Sequence, residues 1–217
     1  MYACGKRERS LFWARFLLLF SVFLLALTLI FTFAALRDAK AITDGVIRLH
    51  ILADSDASDE QALKLKVRDG ILAVYGAEMA EFSDIEEAKG YLEERLFEIE
   101  GLAQGIVCEN GAAHTVSVDL CCEYYDTRAY DGFDLPAGEY TSLCVKIGSG
   151  EGKNWFCMVY PPLCTASSES DEALLAAGFS ESQVRLLTEN EGVYTIRFKV
   201  VEAVSDCIRR LKEATGR

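Results

Sequence analysis

The sequence predicts an α+β fold: one mixed or mainly antiparallel sheet covered by helices, preceded by a single N-terminal membrane-spanning helix. Three observations carry this expectation. A charge-free apolar run fills residues 16–36, stretches that alternate with period two are interleaved with stretches of three- and four-residue period, and three alternating stretches follow one another mid-chain. With 51% apolar residues in 217 and only 3 Pro, the chain is too hydrophobic for disorder and too irregular for a fibre or repeat array.

The apolar run FLLLFSVFLLALTLIFTFAAL would be about 30 Å long as a helix, the thickness of a bilayer core. Lys6, Arg7, Arg9 and Arg15 stand before it, and the positive-inside rule then leaves everything beyond Leu36 outside the cytoplasm. The organisation read from this is a basic cytoplasmic segment at 1–15, a spanning helix or signal at 16–36, a linker at 37–45 and an extracytoplasmic domain at 46–217. The lipid bilayer is thus one expected partner. Ala39-Lys40-Ala41 has the A-x-A form of a signal cleavage site, so both a retained anchor and a signal cleaved before Ile42 stay open.

Val46 to Leu52 alternates Ile47, Leu49 and Ile51 with Val46, Arg48, His50 and Leu52, a strand with one continuous apolar face. Asp54-Ser55-Asp56 stops it. Ser58 with Gln61 reads as a capping box opening a helix that carries Ala62, Leu65, Val67, Ile71 and Val74 to Tyr75-Gly76. Ser83 with Glu86 opens a second amphipathic helix, with Leu92, Leu96 and Ile99 at helical spacing, expected to end near Gly101 or Gly105. His114 to Tyr124, Glu139 to Ile147 and Asn154 to Tyr160 read as strands, the last two joined by SGEG as a hairpin turn. Beyond Cys164 the polar TASSESDEALLAAG suits a surface loop with a short helix at its end. Ser180 to Leu187 reads as a helix, Val193 to Phe198 as a strand, and Val200 to Ala214 as a terminal helix.

Residues beyond Arg37 hold all but one of the 34 acidic side chains and all but five of the 22 basic ones, which leaves this part at −16. A nucleic-acid partner is excluded on that ground, because a phosphate backbone is bound through a basic patch. Of the 8 cysteines, Cys4 is cytoplasmic and seven follow the membrane, an odd number that cannot pair fully within one chain. Cys157 and Cys164 flank Pro161-Pro162, whose turn would bring the two sulfurs together, so a Cys157–Cys164 disulfide is the expected bridge. Cys121 and Cys122 are adjacent on a strand and point to opposite faces. No C-x-x-C occurs and His50 and His114 are far apart in sequence, so the spacings argue against zinc, and neither a metal nor another cofactor is expected.

Several constellations invite chemistry and fall short in sequence. Gly148 to Asn154 approaches a phosphate loop, but Ile147 stands where a Gly is needed and Asn154 where a hydroxyl is. His50 with Asp54 or Asp56 could orient a general base, yet no nucleophile is marked by a G-x-S-x-G or H-E-x-x-H pattern, so no catalytic residue is assigned. Trp155, Phe156, Tyr160 and Pro161-Pro162 form the densest aromatic and rigid cluster, which serves either a core strand or a partner's anchor points.

The runs IRLHILADSDASDEQALKLKVRDGIL (47–72) and LPAGEYTSLCVKIGSGEGKNWFCMVYPPLC (135–164) resemble the stage II sporulation protein R family of endospore-forming Firmicutes. The shared motifs fall on Arg48, His50, Asp54, Asp56, Lys64, Lys66, Arg68 and Asp69, then on Pro136, Gly138, Glu139, Tyr140, Asn154, Trp155, Pro161 and Pro162; Phe156 departs from the family's Trp. The resemblance implies a signalling protein rather than an enzyme. It would be made in the forespore, membrane-anchored or secreted, with its domain in the intermembrane space between forespore and mother cell. There it would activate a membrane-embedded aspartic protease of the mother cell that processes the precursor of sporulation sigma factor E. Two other classes remain: an extracytoplasmic thiol- or His-dependent hydrolase, and a non-signalling structural protein of the envelope. The protease-contacting face expected from the motifs joins His50, Asp54 and Asp56 to Tyr140, Trp155, Pro161 and Pro162, unless both segments simply build the core.

Overall fold

A computed structural model describes residues 4–130, 133–162, 171–188 and 193–215. Helix α1 (Cys4–Asp44) is unbroken, and its stretch from Phe12 is long and apolar enough to cross a membrane. Its outer turns expose Leu17, Phe23, Leu29 and Phe33, while Ala35, Ala39 and Ile42 in the turns below them are buried against the domain. Residues 37–44, expected as a linker, therefore continue the helix and help to build the core. The Lys40–Asp44 ion pair at 2.8 Å lies on the wet side of these last turns.

Strand β1 (Ile47–Leu52) follows, then helices α2 (Ser58–Met79) and α3 (Ile85–Glu109). The cap of α2 is Ala57, with no side-chain bond; Gln61 donates to the Ser55 carbonyl at 2.8 Å instead of closing a box with Ser58. In α3 the cap is Asp84, one residue after Ser83, and its carboxylate accepts the Glu86 N–H at 2.7 Å. An aspartate there also meets the positive end of the helix dipole. The helix continues through Gly101 and Gly105 because Ile99, Ala103 and Val107 on its buried side are packed, which outweighs the roughly 1 kcal/mol each glycine costs.

Strands β2 (Val116–Tyr125), β5 (Gly138–Ile147) and β6 (Asn154–Tyr160) join β1 in a four-stranded mixed sheet of order β2-β5-β1-β6. Strands β3 (Arg128–Tyr130) and β4 (Phe133–Leu135) form a separate antiparallel pair. β1 runs parallel to β5 and antiparallel to β6. The expected hairpin between β5 and β6 is thus not formed, since β1 lies between them. Its composition explains the insertion: Ile47, Leu49 and Ile51 on one face and Arg48 and His50 on the other are all buried, which suits a central strand. The glycine-rich segment 148–153 crosses the end of β1 as a clasp. Gly152 N–H donates to the Ala53 carbonyl at 2.9 Å, and Ser149 and Lys153 N–H donate to the Asp54 and Asp56 carboxylates at 2.7 Å each.

Helices α2 and α3 cover one face of the sheet, packing Val67, Ile71, Leu92 and Ile99 on Ile47, Leu49, Ile51, Leu143 and Val145. Each such side chain contributes about 1.5–3 kcal/mol of burial. The second face is covered by the last turns of α1, the β3–β4 pair, α4 (Asp171–Ala176), α5 (Glu181–Thr188) and α6 (Val193–Thr215), through Ile42, Leu135, Tyr140, Met158, Leu187 and Val201. Residues 193–198, expected as a strand, are the first turns of α6. Tyr194, Phe198 and Val201 satisfy helical spacing as well as Tyr194, Ile196 and Phe198 satisfy alternation, and the long amphipathic run that follows decides in favour of the helix.

Candidate functional site

The alternation of β1 sends Arg48 and His50 to the second face of the sheet, and the register of its neighbours surrounds them with polar and aromatic side chains. His50 lies opposite Cys144 and Arg48 opposite Ser142 across the β1–β5 ladder, while Phe156 faces His50 from β6. On β2, Cys121 and Glu123 lie opposite Ser142 and Tyr140, with Tyr125 two places further on.

These groups are in contact. His50 Nδ1 is 2.9 Å from Glu123 Oε2, and the imidazole packs at 4.5 Å on Phe156 and at 6.2 Å edge-on to Tyr125. The Tyr125 hydroxyl donates to Glu123 in a short hydrogen bond and lies 2.8 Å from Ser142 Oγ. Cys144 also hydrogen-bonds to Glu123, and its Sγ is 2.7 Å from that of Cys121. Burial alone would push Glu123 up, but hydrogen bonds from Tyr125 and His50 hold it below the usual carboxylate range. Burial pushes both thiols, Cys121 and Cys144, up.

Arg48 is fully buried beside this cluster. Its guanidinium carbon sits 3.9 Å from the Tyr125 ring centre, 5.2 Å from Tyr140 and 5.6 Å from Phe156. Nη2 donates to the Tyr130 hydroxyl at 2.9 Å, whereas Nε and Nη1 have no acceptor among the described residues, nor has His50 Nε2 a partner there. A buried cation held by aromatic rings, without a carboxylate bonded to it, is costly unless something compensates the charge.

A thiol, an imidazole and a carboxylate in contact invite comparison with a nucleophile relay, where the acid orients the His and the His faces the thiol. Here the thiol of Cys144 bonds to the acid itself and is pushed toward its neutral form, the reverse of nucleophile activation. The donor atoms of His50, Glu123 and Cys144 all lie within 4.8 Å of one another.

The residues expected to form one contact face are dispersed by the fold. Asp54 and Asp56 clasp the 148–153 loop at the far end of β1, while Pro161 and Pro162 follow β6 at the other end, about 20 Å away along six residues of strand. Tyr140 is buried on the second face with its hydroxyl donating to the Pro136 carbonyl at 2.6 Å. Trp155 points to the opposite face, where the Arg68 guanidinium lies 4.4 Å from its ring. Lys64 is likewise internal, donating to the Lys153 carbonyl at 2.7 Å. The resembling segments thus meet in the core, with His50 the member that joins the polar cluster. Cys157 is buried, and the expected bridge to Cys164 lies outside the described residues. Sequence reasoning missed Cys121, Glu123, Tyr125 and Cys144; the alternation of residues 114–124 could have placed Cys121 and Glu123 on one face, but not beside His50.

Comparison with known proteins adds to this picture. The family described as stage II sporulation protein R matches residues 43–170. Stage II sporulation protein R of Bacillus subtilis (strain 168) is 35% identical over 133 residues, which cover 61% of this chain and 59% of that protein. The chain thus aligns with less than two thirds of that relative's length. No solved structure matches it.

Proposed function

Because the chain belongs to the stage II sporulation protein R family, we propose that it is an exported sporulation signal. In this reading the forespore makes it, α1 carries the domain through the membrane, and the domain activates a membrane-embedded aspartic protease of the mother cell. That protease then processes the precursor of sporulation sigma factor E. The domain acts by binding and has no catalytic step of its own.

The observation that supports the reading is where the family match begins. It starts at Thr43, in the last turn of α1, so the matched domain lies entirely on one side of a segment long and apolar enough to cross a bilayer. The basic residues Lys6, Arg7, Arg9 and Arg15 lie on the other, an orientation the positive-inside rule assigns to an exported domain. The test is reconstitution of the chain with the protease and the sigma precursor in vesicles. Cleavage should rise with added chain and level off at stoichiometric amounts. Cleavage by the chain without the protease, or protease activity indifferent to the chain, would overturn the proposal.

A further inference from the structure

We propose that His50, Glu123, Cys144 and Cys121 form a four-coordinate zinc site on the second face of the sheet. The donor atoms of His50, Glu123 and Cys144 lie within 4.8 Å of one another; Cys121 Sγ stands outside that set of three but 2.7 Å from Cys144 Sγ, from where it supplies the fourth ligand by turning toward His50 and Glu123. A tetrahedral zinc with bonds of about 2.0–2.3 Å holds its donors roughly 3.3–3.8 Å apart. The His50–Glu123 contact of 2.9 Å therefore has to widen by about half an ångström and the two sulfurs by about one. The site therefore requires side-chain rotations on β1, β5 and β2, with Cys121 Sγ also drawing nearer to His50 and Glu123.

The donor set is one imidazole, one carboxylate and two thiols, the borderline-soft mixture that suits zinc rather than magnesium or calcium. Four protein ligands close the coordination shell, so the site is structural. Its rotamers are already set: Phe156 and Tyr125 fix the imidazole plane, and the Tyr125 hydroxyl holds the carboxylate. On binding, each thiol gives one proton to solvent, the ring proton that His50 Nδ1 directs at Glu123 is carried by Nε2 instead so that Nδ1 can coordinate, and the carboxylate coordinates as the anion. Two thiolates and one carboxylate around Zn²⁺ leave a net charge of −1. Arg48, two residues from His50 on the same buried face, supplies the matching +1, which accounts for a fully buried guanidinium that bonds no carboxylate among the described residues.

A disulfide between Cys121 and Cys144 is the competing use of the two sulfurs. It leaves unexplained why an imidazole and a carboxylate converge on them and why a cation is buried alongside. Zinc accounts for all of these with one ion, and it ties β1, β5 and β2 together across the sheet.

The test uses the full chain purified in detergent with a phosphine reductant, saturated with zinc and passed over a chelating resin before elemental analysis. About one zinc per chain should remain in the wild type and in Cys122→Ser, whose side chain leaves the same strand on the opposite face. Cys144→Ser and Cys121→Ser should retain less than about a tenth of that under the same treatment, and Glu123→Gln should weaken binding by about 10–100-fold or more. Cobalt loaded into the wild type should show a thiolate-to-cobalt charge-transfer band that both Cys→Ser variants at positions 121 and 144 lose. The wild type and Cys122→Ser decide the matter even if a ligand variant fails to fold. A zinc-free wild type, zinc retained equally by a folded Cys144→Ser, or a Cys121–Cys144 cross-linked peptide recovered from chain isolated without reductant would overturn the proposal.

Discussion

Replacing Arg48 by Met removes a buried charge while keeping an unbranched stem of similar reach. The losses are the contact with the Tyr125 ring at 3.9 Å, about 0.5–2 kcal/mol, and the bond to the Tyr130 hydroxyl at 2.9 Å, about 1.5–3 kcal/mol. A small void where the guanidinium was adds about 1 kcal/mol. Against these stands the desolvation of a cation whose Nε and Nη1 have no acceptor among the described residues, several kcal/mol in an interior. The terms nearly cancel. With metal removed by a chelator, Arg48→Met should therefore be neutral to more stable by up to about 3 kcal/mol, a rise in Tm of up to roughly 10 °C at 2–4 °C per kcal/mol for a domain of this size. Zinc should reverse the sign, because the anionic cluster then lacks its counter-charge, and the variant should gain less Tm from zinc than the wild type does. Thermal melts by circular dichroism, with chelator and with zinc, measure both. A fall of more than about 6 °C in the metal-free protein would show that the guanidinium is already compensated, and the reasoning would fail.

Three further outcomes are expected. Gly148→Ala should cost more than about 1 kcal/mol in urea unfolding, because Gly148 has φ 59° and its Cβ would come 2.1 Å from the Asp54 carboxylate; an unchanged midpoint would refute the clasp. His114 donates to Glu60 at 2.8 Å, which together with Asp54 raises its pKa. The stability it adds is fully present below the ordinary His value of about 6.5 and is lost as the pH rises through the raised folded value. His114→Gln should thus lower Tm more near pH 5.5 than near pH 8.5, and an equal effect at both would contradict the assignment. Exchanging residues 16–33 for another apolar export segment should leave sigma-precursor processing intact, whereas truncation before Ile42 should destabilise the domain, because Ala35, Ala39 and Ile42 are part of its core. Loss of processing on the exchange alone would make the helix part of the signal.

The sheet was legible because period-two alternation survives wherever one face of a strand is packed: Ile47, Leu49 and Ile51 mark β1, and Val116, Val118 and Leu120 mark β2. Strand order was not, since a glycine-rich segment serves a clasp as well as a hairpin, and the insertion of β1 between β5 and β6 is a long-range choice. The start of α6 misled for a related reason, as Tyr194 and Phe198 satisfy both periods. The polar cluster was the least legible part. Metal motifs are recognised by donors a few residues apart on one turn, whereas His50, Glu123 and Cys144 come from three strands and meet only through the register of β1 with β5 and of β5 with β2. The odd count of cysteines after the apolar run hinted at unpaired thiols but gave no address for them.

The unbroken run of α1 from its apolar turns into the domain sets a mechanical limit. With Ala35, Ala39 and Ile42 buried in the core, the apolar turns run into the domain without a flexible leash, so a copy whose helix spanned a bilayer would stand directly on its surface. A domain of about 170 residues has a radius of gyration near 16 Å and thus a span of roughly 40 Å. A tethered copy can touch only what comes within that height of its own membrane, whatever its affinity. Detachment of the helix on the N-terminal side of Ala35, which leaves the core turns in place, would exchange this short reach for free diffusion, so proteolysis there would act as a range control on whatever the domain binds.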